Sequence, residues 1–133
     1  LLDATKDKYP LHEKILIDAP CSGTGVIGRR PDIKWRLRKS DIQRMANLQK
    51  SILKNISNYL KPGGKLIYST CSLEKEENQD VIDHFLKYKS DFELIGTNSL
   101  LPNNWVDSRG FMFSFPAKTN TDGLFAAVLR KKI

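Results

Sequence analysis

Lys14-Ile-Leu-Ile-Asp-Ala-Pro-Cys-Ser-Gly-Thr-Gly25 is the stretch whose reading decides the fold. Ile15, Leu16 and Ile17 form an unbroken apolar run of strand length, and Ala19-Pro20 with Ser22-Gly-Thr-Gly25 ends it in a glycine-bearing loop. A strand covered on both faces has no reason to alternate, so residues 14–18 predict a buried parallel strand. The pattern returns in Lys65-Leu-Ile-Tyr-Ser-Thr70, which runs into Cys71-Ser72.

Between the two strands, Ile42, Met45, Ile52, Leu53, Ile56, Tyr59 and Leu60 recur at helical intervals. Ser40 and Gln43 have capping-box spacing, Asp41 suits a positive first turn, and Lys61-Pro-Gly-Gly64 stops the helix. A second helix is expected directly after Cys71-Ser72. Glu74, Glu76 and Glu77 fall in its first turn, and Val81, Ile82, Phe85 and Leu86 form its apolar face. Residues 91–95 predict a third strand, 97–109 an irregular loop and 124–129 a last strand, while 111–115 alternates weakly and is a candidate for one more.

Strand, helix, strand, helix, strand is the alternation of an α/β domain with a mostly parallel sheet. Ligands of such sheets bind beyond the carboxyl ends of the strands, where Asp18 and Cys21 follow the first strand and Cys71 the second. If the strands are neighbours, these groups share one cleft. The sheet is expected to be incomplete. Gly23, Gly25 and Gly28 reproduce the spacing of a dinucleotide fingerprint, but no helix follows directly, so the match is discounted.

Composition supports an ordinary globular domain or part of one: 133 residues, 40% hydrophobic and 28% charged. No apolar run approaches the roughly 18 residues of a membrane span. The N-terminus has neither Met nor a signal-peptide pattern and reads as a cut inside a longer chain. Two cysteines with only His12 and His84 for company fit neither a disulfide framework nor a metal site, so free thiols in a reducing, cytoplasmic setting are expected. Of the net charge of +7, much lies in one segment. Arg29, Arg30, Lys34, Arg36, Arg38 and Lys39 stand there against Asp32 alone. Such a cluster suits a phosphate backbone, and it equally suits a solvated surface.

Either cysteine alone reads as a small buried hydrophobe. Cys71, however, stands just before an expected helix N-terminus, where backbone N–H groups and the helix dipole favour thiolate.

Asp18-Ala-Pro-Cys-Ser-Gly-Thr-Gly25 and Ser69-Thr-Cys-Ser-Leu-Glu-Lys-Glu-Glu-Asn78 resemble the two signature motifs of RNA cytosine-5 methyltransferases, particularly the RsmB/Sun-type 16S ribosomal RNA enzymes. Arg29-Arg-Pro-Asp-Ile-Lys-Trp35, Leu60-Lys-Pro-Gly-Gly64 and Thr121-Asp-Gly-Leu-Phe-Ala126 match in order and spacing. The resemblance implies the C-terminal part of a Rossmann-like S-adenosylmethionine-dependent methyltransferase sheet, mostly parallel with an antiparallel last strand. It implies Cys71 as nucleophile, Cys21 as the residue that resolves the covalent adduct, and Asp18 and Asp3 toward the cofactor. Arg29, Arg30, Lys34 and Trp35 are implied in RNA contact, Trp35 by stacking or by anchoring its loop, with ribosomal RNA favoured as substrate. It also implies that the cofactor-binding first half of the catalytic domain and an N-terminal RNA-binding domain lie outside residues 1–133, which alone would catalyse nothing. The rival expectation is a non-catalytic RNA-binding module on a methyltransferase scaffold; a DNA cytosine methyltransferase fits the two motifs least.

Overall fold

The computed structural model describes residues 2–133. The chain forms β1 (His12–Asp18), α1 (Asp32–Arg36), α2 (Lys39–Ile56), β2 (Leu60–Thr70), α3 (Gln79–Tyr88), β3 (Phe92–Ile95), β4 (Met112–Ser114), α4 (Pro116–Thr119) and β5 (Leu124–Lys131). The sheet order is β1-β2-β5-β3, with β4 also on β5. β1 and β2 pair in parallel, whereas β5 is antiparallel to β2, β3 and β4. Four strands therefore share one direction and the last is reversed, as the family resemblance implies.

β3 and β4 are two halves of one interrupted edge. Ile95 pairs with Val128 and Met112 with Ala126, so both strands lie end to end along β5 with residues 96–111 looped out between them. The loop is drawn shut at its base, where Thr97 N donates to Gly110 O at 3.1 Å. Asp107 Oδ1 accepts from the backbone N–H of Arg109 and Phe111, which turns the fully buried Phe111 ring into the core.

One face of the sheet packs on α2 and α3. Leu66, Tyr68, Phe125, Ala127 and Leu129 meet Ile52, Leu53, Val81, Ile82 and Phe85 in a single buried cluster. The other face carries an apolar row in register across four strands, Leu16, Ile67, Val128 and Ile95. Leu16 is 67% and Ile67 39% exposed. This corrects the expectation that the first strand is buried: β1 is an edge strand among the described residues, with Ile17 buried and Leu16 open to solvent. The unbroken run reflects a strand with apolar side chains on both faces, of which one is covered.

Two helix starts also differ from the sequence reading. The N-cap of α2 is Arg38 rather than Ser40, and the carboxylate of Asp41 accepts from Arg38 N at 3.0 Å. The helix after Cys71 is delayed. Lys75–Glu77 form a single 3-10 turn, the backbone breaks at Asn78, and α3 starts only at Gln79. Between α2 and β2, Lys61-Pro-Gly-Gly64 does more than end a helix: it bulges within β2, since His12 pairs with Leu60 but Lys14 pairs with Lys65. Gly63 takes φ 77°, a region closed to most side chains.

The two faces of β2 provide a test. Leu66→Ala should cost about 2–5 kcal/mol in urea unfolding because it empties a closed core, whereas Ile67→Ala next to it should cost less than about 1 kcal/mol. Equal losses would show that the outer face is packed in solution.

Candidate active site

Parallel pairing places Asp18 opposite Ser69, and Ala19 N extends the ladder by donating to Ser69 O at 2.9 Å. The loops that leave β1 and β2 therefore start side by side. They are stitched by backbone contact: Gly25 N donates to Cys71 O at 3.0 Å, and Gly123 N, just before β5, donates to Gly25 O at 2.8 Å. A Cβ at Gly25 would overlap the Gly123 carbonyl and come within 2.8 Å of Cys71 O, so only glycine allows this approach.

The approach brings the two thiols together. Cys21 Sγ and Cys71 Sγ lie 3.1 Å apart, both half-buried and both free. Burial, with the Cys71 sulfur beside it, pushes the Cys21 thiol up to about 12. Burial thus favours Cys21 as the neutral thiol, and either sulfur can donate in the contact between them. Asp18, at the end of β1, presents an exposed carboxylate that accepts from Ser69 Oγ at 3.2 Å. Beside it an apolar groove of about 350 Å³ runs past Pro20, Leu16, Ile52 and Tyr59.

The expected helix N-terminus at Cys71 is absent, because α3 begins eight residues further on. A buried polar cluster takes its place. Ser72 Oγ donates to Glu77 Oε1 at 2.9 Å and accepts from Glu74 N at 3.0 Å. Thr24 Oγ1 accepts from Leu73 N at 2.9 Å, and Asn78 joins Thr70 Oγ1 to Ser72 O. Glu77 Oε2 accepts from Ser22 N at 2.9 Å and from Gln49 Nε2 at 2.8 Å.

The sequence-predicted RNA-binding residues divide. Arg29 pairs with Asp122 at 2.6 Å and so ties the first loop to the turn before β5. Arg30 and Arg36 share Asp32, at 3.6 and 3.1 Å. Lys34 lies over the Trp35 ring, 5.2 Å from its centroid, and Trp35 is 82% exposed, so this indole does not anchor its loop by packing. Asp3 sits in a local turn rather than at a strand end. Its carboxylate accepts from Thr5 N at 2.9 Å and Thr5 Oγ1 at 2.6 Å, and these bonds hold it below the usual carboxylate range. Among the described residues no group of three or more His, Cys, Asp or Glu side chains could hold a metal ion.

Several site residues escape the sequence reading. Gln49 looks like one more polar residue of an amphipathic helix, and Glu77 like a solvated first-turn acid, yet both are fully buried. Arg44 joins Arg36, Asp41 and Cys21 around a cavity of about 280 Å³. Only the distant Pro-Cys-Ser motif, which Gln49 faces across 29 residues, could have marked its role.

Because alkylation requires thiolate, labelling of Cys21 by iodoacetamide should be slow at pH 8 and still rise about tenfold per pH unit at pH 10. Peptide mass spectrometry of the native protein reads this directly, and a plateau below pH 9 would contradict the neutral thiol.

Comparison with known proteins shows which family the chain resembles. Residues 2–130 match the sequence profile described as 16S rRNA methyltransferase RsmB/F. Proteins named ribosomal RNA small subunit methyltransferase B are similar: that of Cronobacter sakazakii is 48% identical over 120 residues, covering 90% of this chain and 26% of the relative. That of Vibrio cholerae is 42% identical over 120 residues with the same coverage. The chain spans about a quarter of the length of the curated relatives it matches. Among solved structures, NSun6 from Pyrococcus horikoshii with SFG superposes at a TM-score of 0.83 and 30% identity, covering 98% of this chain and 33% of that one. A methyltransferase homolog protein from the same organism superposes at 0.74 and 34% identity, covering 92% and 40%. With a profile match running almost end to end, the chain belongs to the 16S rRNA methyltransferase RsmB/F family.

Proposed function

We propose that the protein transfers a methyl group from S-adenosylmethionine to carbon 5 of a cytosine in RNA, with ribosomal RNA as the substrate class. The observation that carries this reading is the 3.1 Å contact between Cys21 and Cys71 at the carboxyl ends of two parallel strands. A binding module has no use for two apposed thiols, whereas cytosine C5 methylation needs one sulfur to add to the ring and a second group to let it go.

Cys71 is the nucleophile. Its sulfur bonds to carbon 6 of the cytosine, and the ring electrons move to carbon 5, which becomes able to accept a methyl group. Cys21, held as the neutral thiol, donates toward the Cys71 sulfur while that sulfur carries charge. Bound S-adenosylmethionine supplies the electrophilic methyl group. Resolution then requires the proton on carbon 5 to leave for a base and the freed electron pair to expel the Cys71 sulfur. Cys21 serves the release half of this step, since as the neutral thiol it touches the departing sulfur and donates to it, while the carbon 5 proton goes to a separate base. Asp18 accepts from the amino group of the ligand that enters between the strand ends.

The cofactor fits on one side. The exposed Asp18 carboxylate and the apolar groove beside it suit the polar and ring portions of a nucleoside, and NSun6 was solved with SFG, an S-adenosylmethionine analogue. Asp3 carries less support, because Thr5 already occupies its carboxylate. Lys34 and the exposed Trp35 offer RNA a charge and a stacking face, while Arg29 and Arg30 enter RNA contact by exchanging their carboxylate partners. Single-stranded or opened RNA is the form that lets a base leave its stack. The setting is cytoplasmic, where both thiols stay reduced. No helix of the described residues is long and apolar enough to cross a membrane.

Incubation of the complete gene product with RNA containing 5-fluorocytosine and S-adenosylmethionine should give a covalent protein–RNA adduct, since fluorine cannot leave as the proton does. The adduct should disappear in Cys71→Ala. With ordinary RNA it should accumulate in Cys21→Ala, which forms the bond to carbon 6 but fails to break it. No adduct from the unaltered protein would favour the RNA-binding module.

A second expectation concerns residues 1–133 by themselves. Purified alone they should transfer no measurable methyl group to RNA, because the chain holds the thiol chemistry but spans only about a quarter of its relatives. Robust turnover by the isolated piece would overturn this.

A further inference from the structure

Glu77 is the only fully buried carboxylate among the described residues, and no cation pairs with it. Removing an ionised group from water is costly unless hydrogen bonds replace its hydration, so a carboxylate in such a place needs a reason beyond filling space. Its partners supply one. Oε2 accepts from the backbone N–H of Ser22, the residue after Cys21, and Oε1 accepts from the hydroxyl of Ser72, the residue after Cys71. The two oxygens of one rigid, planar group thus grip the two thiol loops one residue beyond each sulfur. From α2, Gln49 Nε2 completes the grip by donating at 2.8 Å both to Glu77 Oε2 and to Pro20 O, the residue before Cys21. The backbone carbonyl of Glu77 is itself pinned by Tyr68 Oη at 2.7 Å, so the clamp is fixed to the C-terminal end of β2.

We propose that Glu77 is a positioning residue for the two-thiol reaction, setting the separation of Cys21 and Cys71 by holding Ser22 and Ser72 on the two oxygens of one carboxylate. The inference rests on the methyltransferase reading above. Glu77 touches neither sulfur and is not a catalytic residue; it acts through the loops that carry them.

The geometry distinguishes a clamp from a charge. Glutamine at this position keeps one oxygen for Ser22 N and Gln49 Nε2, and turns its NH2 toward Ser72 Oγ. That hydroxyl can then accept and pass its own proton to Ser22 Oγ or Thr24 Oγ1, each 3.3 Å away. Glu77→Gln therefore preserves the grip without the charge, whereas Glu77→Ala releases both loops.

The test uses the complete gene product and steady-state methyl transfer to RNA. Glu77→Ala should lower kcat by about tenfold or more while leaving KM for RNA within about twofold, and Glu77→Gln should return kcat to within about threefold of the unaltered protein. An unchanged kcat in Glu77→Ala, a loss carried by KM, or a failure of Glu77→Gln to rescue overturns the clamp. Should Glu77→Ala not fold, Gln49→Met decides, because it removes the donor shared by Pro20 and Glu77 from α2, outside the two loops that carry the thiols. Its kcat should fall with KM for RNA unchanged, and an unaltered kcat overturns the proposal. Absence of methyl transfer by the unaltered protein would overturn the methyltransferase reading itself, and is seen before any variant is made.

Discussion

The parallel register that sets Asp18 against Ser69 is the constraint on which the rest of the site depends. A parallel pair sends both strands out of the sheet at the same end, so two loops separated by fifty residues of sequence emerge side by side. Cys21 lies three residues past Asp18 and Cys71 two past Ser69, and these short overhangs leave the sulfurs little room to be anywhere but near each other. An antiparallel pair would have placed them at opposite ends of the sheet. The hairpin-free connection that parallel pairing demands is supplied by α2, whose buried face also brings Gln49 beneath the loops.

Closeness of this kind creates a desolvation problem, and the polar cluster is its solution. Two glycine backbones, Gly25 and Gly123, approach until no side chain fits between the loops. Burial of the site, with the Cys71 sulfur alongside, pushes the Cys21 thiol up. Buried backbone groups of both loops then need partners that water no longer provides, and Thr24, Ser72, Glu77 and Asn78 provide them. Gln49 Oε1 is the one buried side-chain oxygen left without a partner among the described residues. Satisfying the donors around Glu77 took precedence over satisfying that acceptor.

The parts of this structure that follow from local periodicity were legible in the sequence. β1, β2, β5, the run of α2 and the placement of Asp18 at a strand end and of both cysteines just past strand ends all follow from apolar runs and turn residues, because those patterns report which faces are available for burial. What depended on a distant partner was not legible. Glu74, Glu76 and Glu77 look alike as first-turn acids, yet Glu77 alone turns inward, because Ser22, Gln49 and Ser72 converge on it from other elements. That convergence breaks the backbone at Asn78 and delays α3. β1 was misread for a related reason: an apolar strand shows that both faces can be covered, and only the neighbouring layers decide whether they are.

Charge shows the same division between what a segment contains and what it presents. By composition the basic segment from Arg29 to Lys39 holds six cations, but Asp122 engages Arg29 and Asp32 engages both Arg30 and Arg36. Exposed pairs of this kind contribute little to stability, so their partners are exchangeable when a phosphate competes. Their effect is instead geometric. Arg29 draws the first loop toward the Asp122 turn, next to the glycine contact that closes the thiol site, and the shared Asp32 holds α1 so that Trp35 projects outward with Lys34 across its face. Long-range attraction of an RNA chain depends on the net charge, which local pairing leaves unchanged at a distance, whereas the first specific contact depends on which groups are free to reorganise. The loop that carries Cys21 is thus joined by one continuous segment to Trp35, the most exposed aromatic side chain among the described residues.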